Sequence, residues 1–334
     1  MHIVVTGAEG FVGRALVHRL ISEHRLGQHA IEQITLLDLA FAQPPVDGVR
    51  QLAGDIGDAD WMRTVLGTCA MDVVFHLASL PGGAAERDYT LARRVNLEAT
   101  QTLLEMGKLQ VERGGTPPVF DFSSSIAVFG TMPAVVDDGT QPLPRMTYGY
   151  QKLIGELLVS DFSRHGWVDG RSVRLPGVLA RPAARTGQLS AFLSDIIREL
   201  AAGRPFACPM SAQATTWASS LPCVVDQLLH AAVLDANYWD NSRVVTLPTL
   251  RFTMAEMVDA VARVYCSAAQ DLVHYQPDPR IEAFFGRFPP LITEQAQRAG
   301  FHRDDDLDTL VSRALLTEQS HTAMGTPAEE TNGL

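Results

Sequence analysis

The chain predicts an α/β fold, a doubly wound parallel sheet followed by a smaller C-terminal α/β region that acts as a lid. Three observations carry this reading. Short β-branched and apolar runs alternate with segments of helical periodicity over roughly the first 180 residues, as parallel sheets with crossover helices require. The first run ends in a glycine-rich turn that opens directly into a helix. From Arg181-Pro182 onwards the alternation gives way to helices joined by Pro/Ala-rich connections. A chain of 334 residues has room for one large or two modest domains.

The first strand, His2 to Val5, leads into Thr6-Gly7-Ala8-Glu9-Gly10-Phe11-Val12-Gly13, after which Ala15, Leu16, Leu20 and Ile21 recur at helical spacing. Gly7 permits the tight turn, Gly10 lets the backbone approach a pyrophosphate, and Gly13 lets helix and strand pack closely. Phe11 and Val12 open the helix whose N-terminus receives the phosphates. This is a Rossmann-type dinucleotide turn, with G-x-x-G-x-x-G in place of the commoner G-x-G-x-x-G.

The second strand, Ile34 to Asp38, ends in an acid placed to hydrogen-bond ribose hydroxyls and repel a 2′-phosphate, which favours NAD over NADP. An acidic loop residue is the bland alternative. Val49 to Leu52 forms the next strand, followed by Asp55, within reach of an adenine amino group, and Ile56. Met71 to Ser79 reads as a strand buried on both faces, ending in Leu77, Ala78 and Ser79, where cofactor and substrate lie against the backbone. His76, within that strand, reads as a satisfied core histidine. Leu80 to Ala85 is expected to be a flexible loop. A long helix over residues 86–113 then carries Asn96, suited to bond backbone groups between helix and strand.

A fifth strand from Val119 ends in Ser123-Ser124-Ser125, more hydroxyls than a turn requires, although a serine-rich helix cap is the alternative. Tyr148 and Lys152, four apart with Leu153, Ile154, Leu157 and Leu158 behind them, share one helix face. An ammonium held near a phenol favours the phenolate and brings it towards a general base. A sixth strand, Arg171 to Leu175, ends in Pro176-Gly177-Val178. Helices near Phe192 to Ala202, Val224 to Ala236 and Met254 to Val264, a strand Val244 to Leu247, and a short helix after Pro289 complete the fold. The expected division is therefore a dinucleotide-binding domain over 1–180, a smaller substrate-binding region over 181–316, and a disordered tail over 317–334, rich in Ser, Thr, Gly, Pro and Glu.

A net charge of −11, with no Lys/Arg cluster interleaved with aromatics, argues against nucleic acid and anionic membrane surfaces as partners. No apolar run approaches the ~18 residues of a membrane span. Cys69, Cys208, Cys223 and Cys266 are dispersed without neighbouring histidines, so no metal is expected. The first strand follows Met1 directly, and a cytoplasmic protein is the expectation.

With glycine turn, Asp38, triple serine and Tyr148/Lys152 in this order, residues 1 to about 316 resemble the extended short-chain dehydrogenase/reductase family, also called the NAD-dependent epimerase/dehydratase family. The resemblance implies catalytic roles for Ser125, Tyr148 and Lys152, with Tyr148 as the base. It implies NAD contacts from Ser123, Pro176 and Val178 as well as the turn residues. A homodimer is expected through helix 86–113 and the Tyr148 helix, whose apolar faces carry Leu103, Leu104, Leu157 and Leu158. Where nucleotide-sugar relatives carry a diphosphate clamp, this chain reads Arg174-Leu175-Pro176-Gly177-Val178 and Trp217-Ala218-Ser219-Ser220. Those stretches look like a branch that oxidises the C2 hydroxyl of a four-carbon sugar acid. A guanidinium suits a carboxylate best, and Arg181 is favoured over Arg174, which lies within a strand. A nucleotide-sugar epimerase or dehydratase and a non-catalytic NAD-sensing protein are the rival readings.

Overall fold

Seven short runs pair edge to edge into one parallel sheet in the computed structural model, which describes residues 1–67, 69–179 and 190–323. In chain order the strands that matter here are β1 (His2–Thr6), β2 (Gln33–Asp38), β3 (Val49–Ala53), β4 (Val73–His76), β5 (Val119–Ser125), β6 (Asp169–Leu175), β7 (Gly177–Leu179), β8 (Thr215–Ser220), β9 (Val244–Thr246) and β10 (Leu250–Thr253). The main sheet has the order β9-β6-β5-β4-β1-β2-β3, with every pairing parallel. This is the Rossmann-type doubly wound sheet, and its reversal beside β1 opens a crevice at the carboxyl ends of β1 and β4.

The helices used below are α1 (Phe11–Glu23), α2 (Ala59–Leu66), α3 (Gly82–Arg87), α4 (Tyr89–Arg93), α5 (Ala99–Glu112), α6 (Thr147–Arg164), α7 (Phe192–Ala201), α8 (Leu221–Val233), α9 (Met254–Val264), α10 (Pro279–Phe285) and α11 (Leu307–Ala323). Alternation along the central strands sends Ile3, Val5 and Phe75 into a core with Leu16 and Leu20 of α1 and Leu228 of α8. Val4, Phe120 and Phe122 point the other way, into a core with Met62 of α2, Leu103 and Leu104 of α5 and Val159 of α6. A third core joins Leu193 and Ile197 of α7, Met257 and Val261 of α9 and Leu310 of α11.

Several sequence expectations change here. β9 joins the edge of the main sheet beside β6, and α8 packs against that sheet, so two elements placed in the smaller region belong to the first body. Beyond the main sheet stand a three-stranded sheet, β10-β8-β7, and a short parallel pair, Phe206–Cys208 with Val273–Tyr275. The Leu80–Ala85 stretch is not wholly a loop, because α3 begins at Gly82 after Pro81. The helix over 86–113 is broken at Asp88, and a π-helical turn, Arg94–Glu98, carries Asn96 before α5 starts. Leu103 and Leu104 lie inside the protomer core, leaving no free face of their own. α11 continues past Thr317, where the tail was expected to begin. The boundary at 180/181 and Arg181 itself lie outside the described residues. Among the described residues no helix is long and apolar enough to cross a membrane, and the four cysteines are free.

α6 seats against β5 through a glycine. A Cβ at Gly155 would come within 2.5 Å of the ring of Phe122, itself 1% exposed. Replacing a helical glycine by alanine ordinarily gains up to ~1 kcal/mol, but overpacking a filled core costs about 1–3 kcal/mol. Gly155→Ala is therefore expected to lower the urea midpoint, and an unchanged or raised midpoint would show that α6 has slack against the sheet.

Candidate active site

The glycine turn joins the carboxyl end of β1 to the first turn of α1. Gly7 has φ +70°, and a Cβ there would stand 2.7 Å from the amide nitrogen of Ala78, so the turn and the end of β4 lie backbone to backbone. Gly10 caps α1 without a side-chain hydrogen bond, leaving the N-terminus of a 13-residue helix open to a ligand. The turn therefore fits a dinucleotide diphosphate.

Asp38 closes β2 beside this turn. Its carboxylate accepts from the amides of Glu9 at 2.8 Å and Leu39 at 2.7 Å, which fixes the side chain and leaves lone pairs for ribose hydroxyls. No arginine follows within residues 39–42 to welcome a 2′-phosphate. Asp55 accepts from the amide of Gly57 at 2.8 Å and pairs with Arg94, while Ile56 is buried in the core with Leu37.

The three serines at the end of β5 take three separate roles. Ser123 donates its hydroxyl to the carbonyl of His76 at 3.0 Å. Ser124, on the opposite face, donates to the buried carboxylate of Glu156. Ser125 accepts from the amide of Ala127 at 3.2 Å, capping the short 3-10 turn Ile126–Val128, and lines the cleft with its side chain only half buried. The capping alternative and the cleft-facing one thus hold together on one residue.

Tyr148 stands in the first turn of α6 and reaches the same cleft. Lys152 does not reach its wall. It is 2% exposed, donates to the carbonyl of Ser123 at 2.6 Å, and places its Nζ 5.7 Å from the centre of the Tyr148 ring. Burial pulls its pKa down to about 7, and the Glu156 carboxylate opposes that fall. Arg174 grips Glu156 with two bonds, at 2.9 and 2.8 Å, confirming that this arginine serves the structure. His76 is bonded through both ring nitrogens, to Thr6 at 2.7 Å and Thr100 at 2.8 Å. Burial, with the neighbouring Lys152 charge, pushes its pKa to about 3, so the ring is neutral as a core histidine should be.

Gly7, Gly10, Phe11, Val12, Gly13, Leu77, Ser79, Ser123, Pro176 and Val178 line the cleft with Ser125 and Tyr148, in a cavity of about 860 Å³. Asn96 lies apart from that wall. It is buried and holds the chain that leaves β4, accepting from the amide of Leu80 at 2.7 Å and donating to its carbonyl at 3.1 Å. The segment read as a hydroxyl-rich replacement for a diphosphate clamp is mostly turned away. Ser219 bonds Thr249 at 3.0 Å and Ser220 bonds Asp304 at 2.6 Å, so neither offers a hydroxyl to a ligand, while Trp217 lies against the cleft. Missed entirely were Arg145 and the aromatics Phe284, Phe285 and Phe288, which form the far wall. Arg145 is signalled only by its place three residues before Tyr148, and the aromatics arrive from more than a hundred residues downstream.

Residues 3–217 match the model of the NAD dependent epimerase/dehydratase family, and the chain belongs to that family. A D-erythronate dehydrogenase from Cupriavidus necator is 39% identical over 93% of this chain and 97% of its own length. A D-erythronate dehydrogenase from Haemophilus influenzae is 31% identical over 94% and 98%. Among solved structures, a nucleoside-diphosphate-sugar epimerase from Agrobacterium tumefaciens superposes with a TM-score of 0.89 at 31% identity, over 96% of this chain and 95% of the other. NAD is the cofactor.

The Lys152 side chain makes stability depend on pH. Below about pH 7 folded and unfolded chains both carry the charge, and folding bears the full cost of burying it. From there towards the ordinary value of 10.5 the unfolded chain holds a proton that the folded one has released, so stability rises with pH. Denaturation of wild type and Lys152→Met between pH 6 and 10 is expected to show wild type gaining steadily on the variant above pH 7. A constant difference would mean that Lys152 stays charged throughout.

Proposed function

We propose that this family member is an NAD-dependent dehydrogenase that oxidises the C2 hydroxyl of a small sugar acid, D-erythronate, to 2-dehydro-D-erythronate. The observation that carries it is the meeting of the dinucleotide turn with Ser125 and Tyr148 on one cleft, with an ammonium buried directly behind the tyrosine. The two D-erythronate dehydrogenases support the substrate.

On this reading the amides of Gly10, Phe11, Val12 and Gly13 hold the diphosphate and Asp38 the adenosine ribose. Asp55 and Ile56 bound the adenine end, and Leu77, Ala78, Pro176 and Val178 enclose the rest of the dinucleotide. Bound NAD supplies the acceptor for the C2 hydride. Tyr148 takes the hydroxyl proton, and Ser125 and Ser79 hold the substrate oxygens. Lys152 favours the phenolate and takes the nicotinamide ribose. Asn96 acts one step removed, by fixing the chain beyond Ser79.

The second reading, a nucleotide-sugar epimerase, is favoured by the Agrobacterium structure. The far wall of the cleft speaks against it, since Trp217, Phe284, Phe285 and Phe288 provide apolar surface where a second diphosphate needs several fixed donors. Steady-state assays with D-erythronate, L-threonate and a UDP-hexose decide between them. NADH formation from D-erythronate is expected, with Tyr148→Phe lowering kcat by ~10²–10⁴ while NAD affinity is retained. Epimerisation of the UDP-hexose without NADH from either acid would remove the proposal.

The homodimer belongs to the same reading, with its surface revised. On α6, Tyr150, Ile154 and Leu157 are 54%, 42% and 64% exposed at helical spacing, a stripe that a second copy would cover. Light scattering at micromolar concentration is expected to give twice the chain mass, and Leu157→Glu to return it to one.

A further inference from the structure

Arg145 lies on the stretch that leads into α6 and lines the cleft together with Ser125 and Tyr148. Its stem is seated over Gly130, where an added Cβ would come within 3.0 Å of Arg145 Cγ. Its guanidinium carbon stands 5.6 Å from the centre of the Phe284 ring, on the far wall. The other arginine on the cleft, Arg14, is committed to Glu9 at 2.7 Å beside the glycine turn. Among the described residues no carboxylate pairs with Arg145. The cleft is therefore lined by two guanidiniums, and the exposed one three residues before Tyr148 lies over an aromatic ring and can offer its N–H groups to an anion.

A 2-hydroxy acid carries its carboxylate one bond from the carbon that loses hydride. If Tyr148 and Ser125 hold the C2 oxygen, the group that meets the carboxylate has to stand beside Tyr148, not at the dinucleotide end. We infer that Arg145 is that group: it binds the substrate carboxylate and selects acids over neutral polyols. This rests on the sugar-acid reading above, and it takes over the role assigned from sequence to Arg181.

The test uses the NAD-loaded enzyme with D-erythronate and its neutral amide. Arg145→Met keeps the stem over Gly130 and is expected to lower kcat/KM for the acid about 10- to 100-fold, the range for hydrogen bonds to a charged group, while leaving the amide almost unchanged. Arg145→Lys should recover part of the loss. In a Tyr148→Phe background, where turnover is blocked, calorimetry should show the same weakening of D-erythronate binding. Equal losses on acid and amide would make Arg145 a structural clamp and overturn the inference. So would an unchanged preference, or an acid-selective loss in Arg181→Met instead. A wild-type enzyme that neither oxidises nor binds D-erythronate would remove the sugar-acid reading and this inference with it, whereas normal oxidation with an indifferent Arg145→Met removes Arg145 alone.

Discussion

One buried ammonium sets the terms for the site around it. Lysine is almost never fully buried unless its charge is met, and Lys152 is met on two sides. The Ser123 carbonyl accepts from it directly, and Glu156 lies near enough to favour the charged form. Glu156 is itself buried, and a buried carboxylate without a partner costs several kcal/mol; Arg174 and Ser124 supply its partners. Arg174 in turn lies 5.1 Å over the face of Phe129. The arrangement holds only while α6 sits flush on β5, which is what the absent side chain of Gly155 permits. Burial lowers the lysine's pKa to about 7, and burial, with the same positive charge beside it, keeps His76 uncharged.

The two halves of the cleft have different origins. The dinucleotide half comes from consecutive strand-helix units, in which each strand end delivers a short polar stretch to the same edge of the sheet. The other half is assembled from segments distant in sequence. Trp217 on β8 donates to the carbonyl of Pro289 at 2.8 Å, Val136 bridges to Leu291, and Phe284 closes over Arg145 from α10. Substrate preference can change by altering this non-local wall while the sheet and the Tyr148 helix stay as they are.

That difference in origin explains what could be read beforehand. The alternation of the main strands and helices, the glycine turn, Asp38 at the end of β2 and the placing of Tyr148 and Lys152 one turn apart on α6 are local signals of period and spacing; that Lys152 is buried behind Tyr148, off the cleft wall, is not. His76 was recognisable as a core residue because a continuous apolar strand surrounds it. The jobs of Ser123 and Ser124 were not, because adjacent strand residues face opposite layers and their partners, His76 and Glu156, come from other elements. The direction of the Ser219 and Ser220 hydroxyls was not legible, since composition records hydroxyls without recording direction; Thr249 and Asp304, which occupy them, lie 30 and 84 residues downstream. β9 escaped its assignment for a similar reason, since a three-residue strand at a sheet edge has no sequence mark of the sheet it joins.

An apolar wall and an uncommitted guanidinium together limit what the Tyr148 end can hold. On the reading proposed above, a group carrying one negative charge finds a planar, bidentate partner in Arg145, whose guanidinium carbon stands 5.6 Å from the centre of the Phe284 ring. A diphosphate brings more charge than one arginine answers, and desolvating it against Trp217 and Phe288 leaves the surplus unpaired at a cost of several kcal/mol. A neutral sugar has the opposite difficulty, because its hydroxyl oxygens can accept from the guanidinium but bring no charge to meet it, and such bonds are weaker than those to a carboxylate. If the proposed role of Arg145 holds, selection for a small monoanion follows from mismatch on both sides.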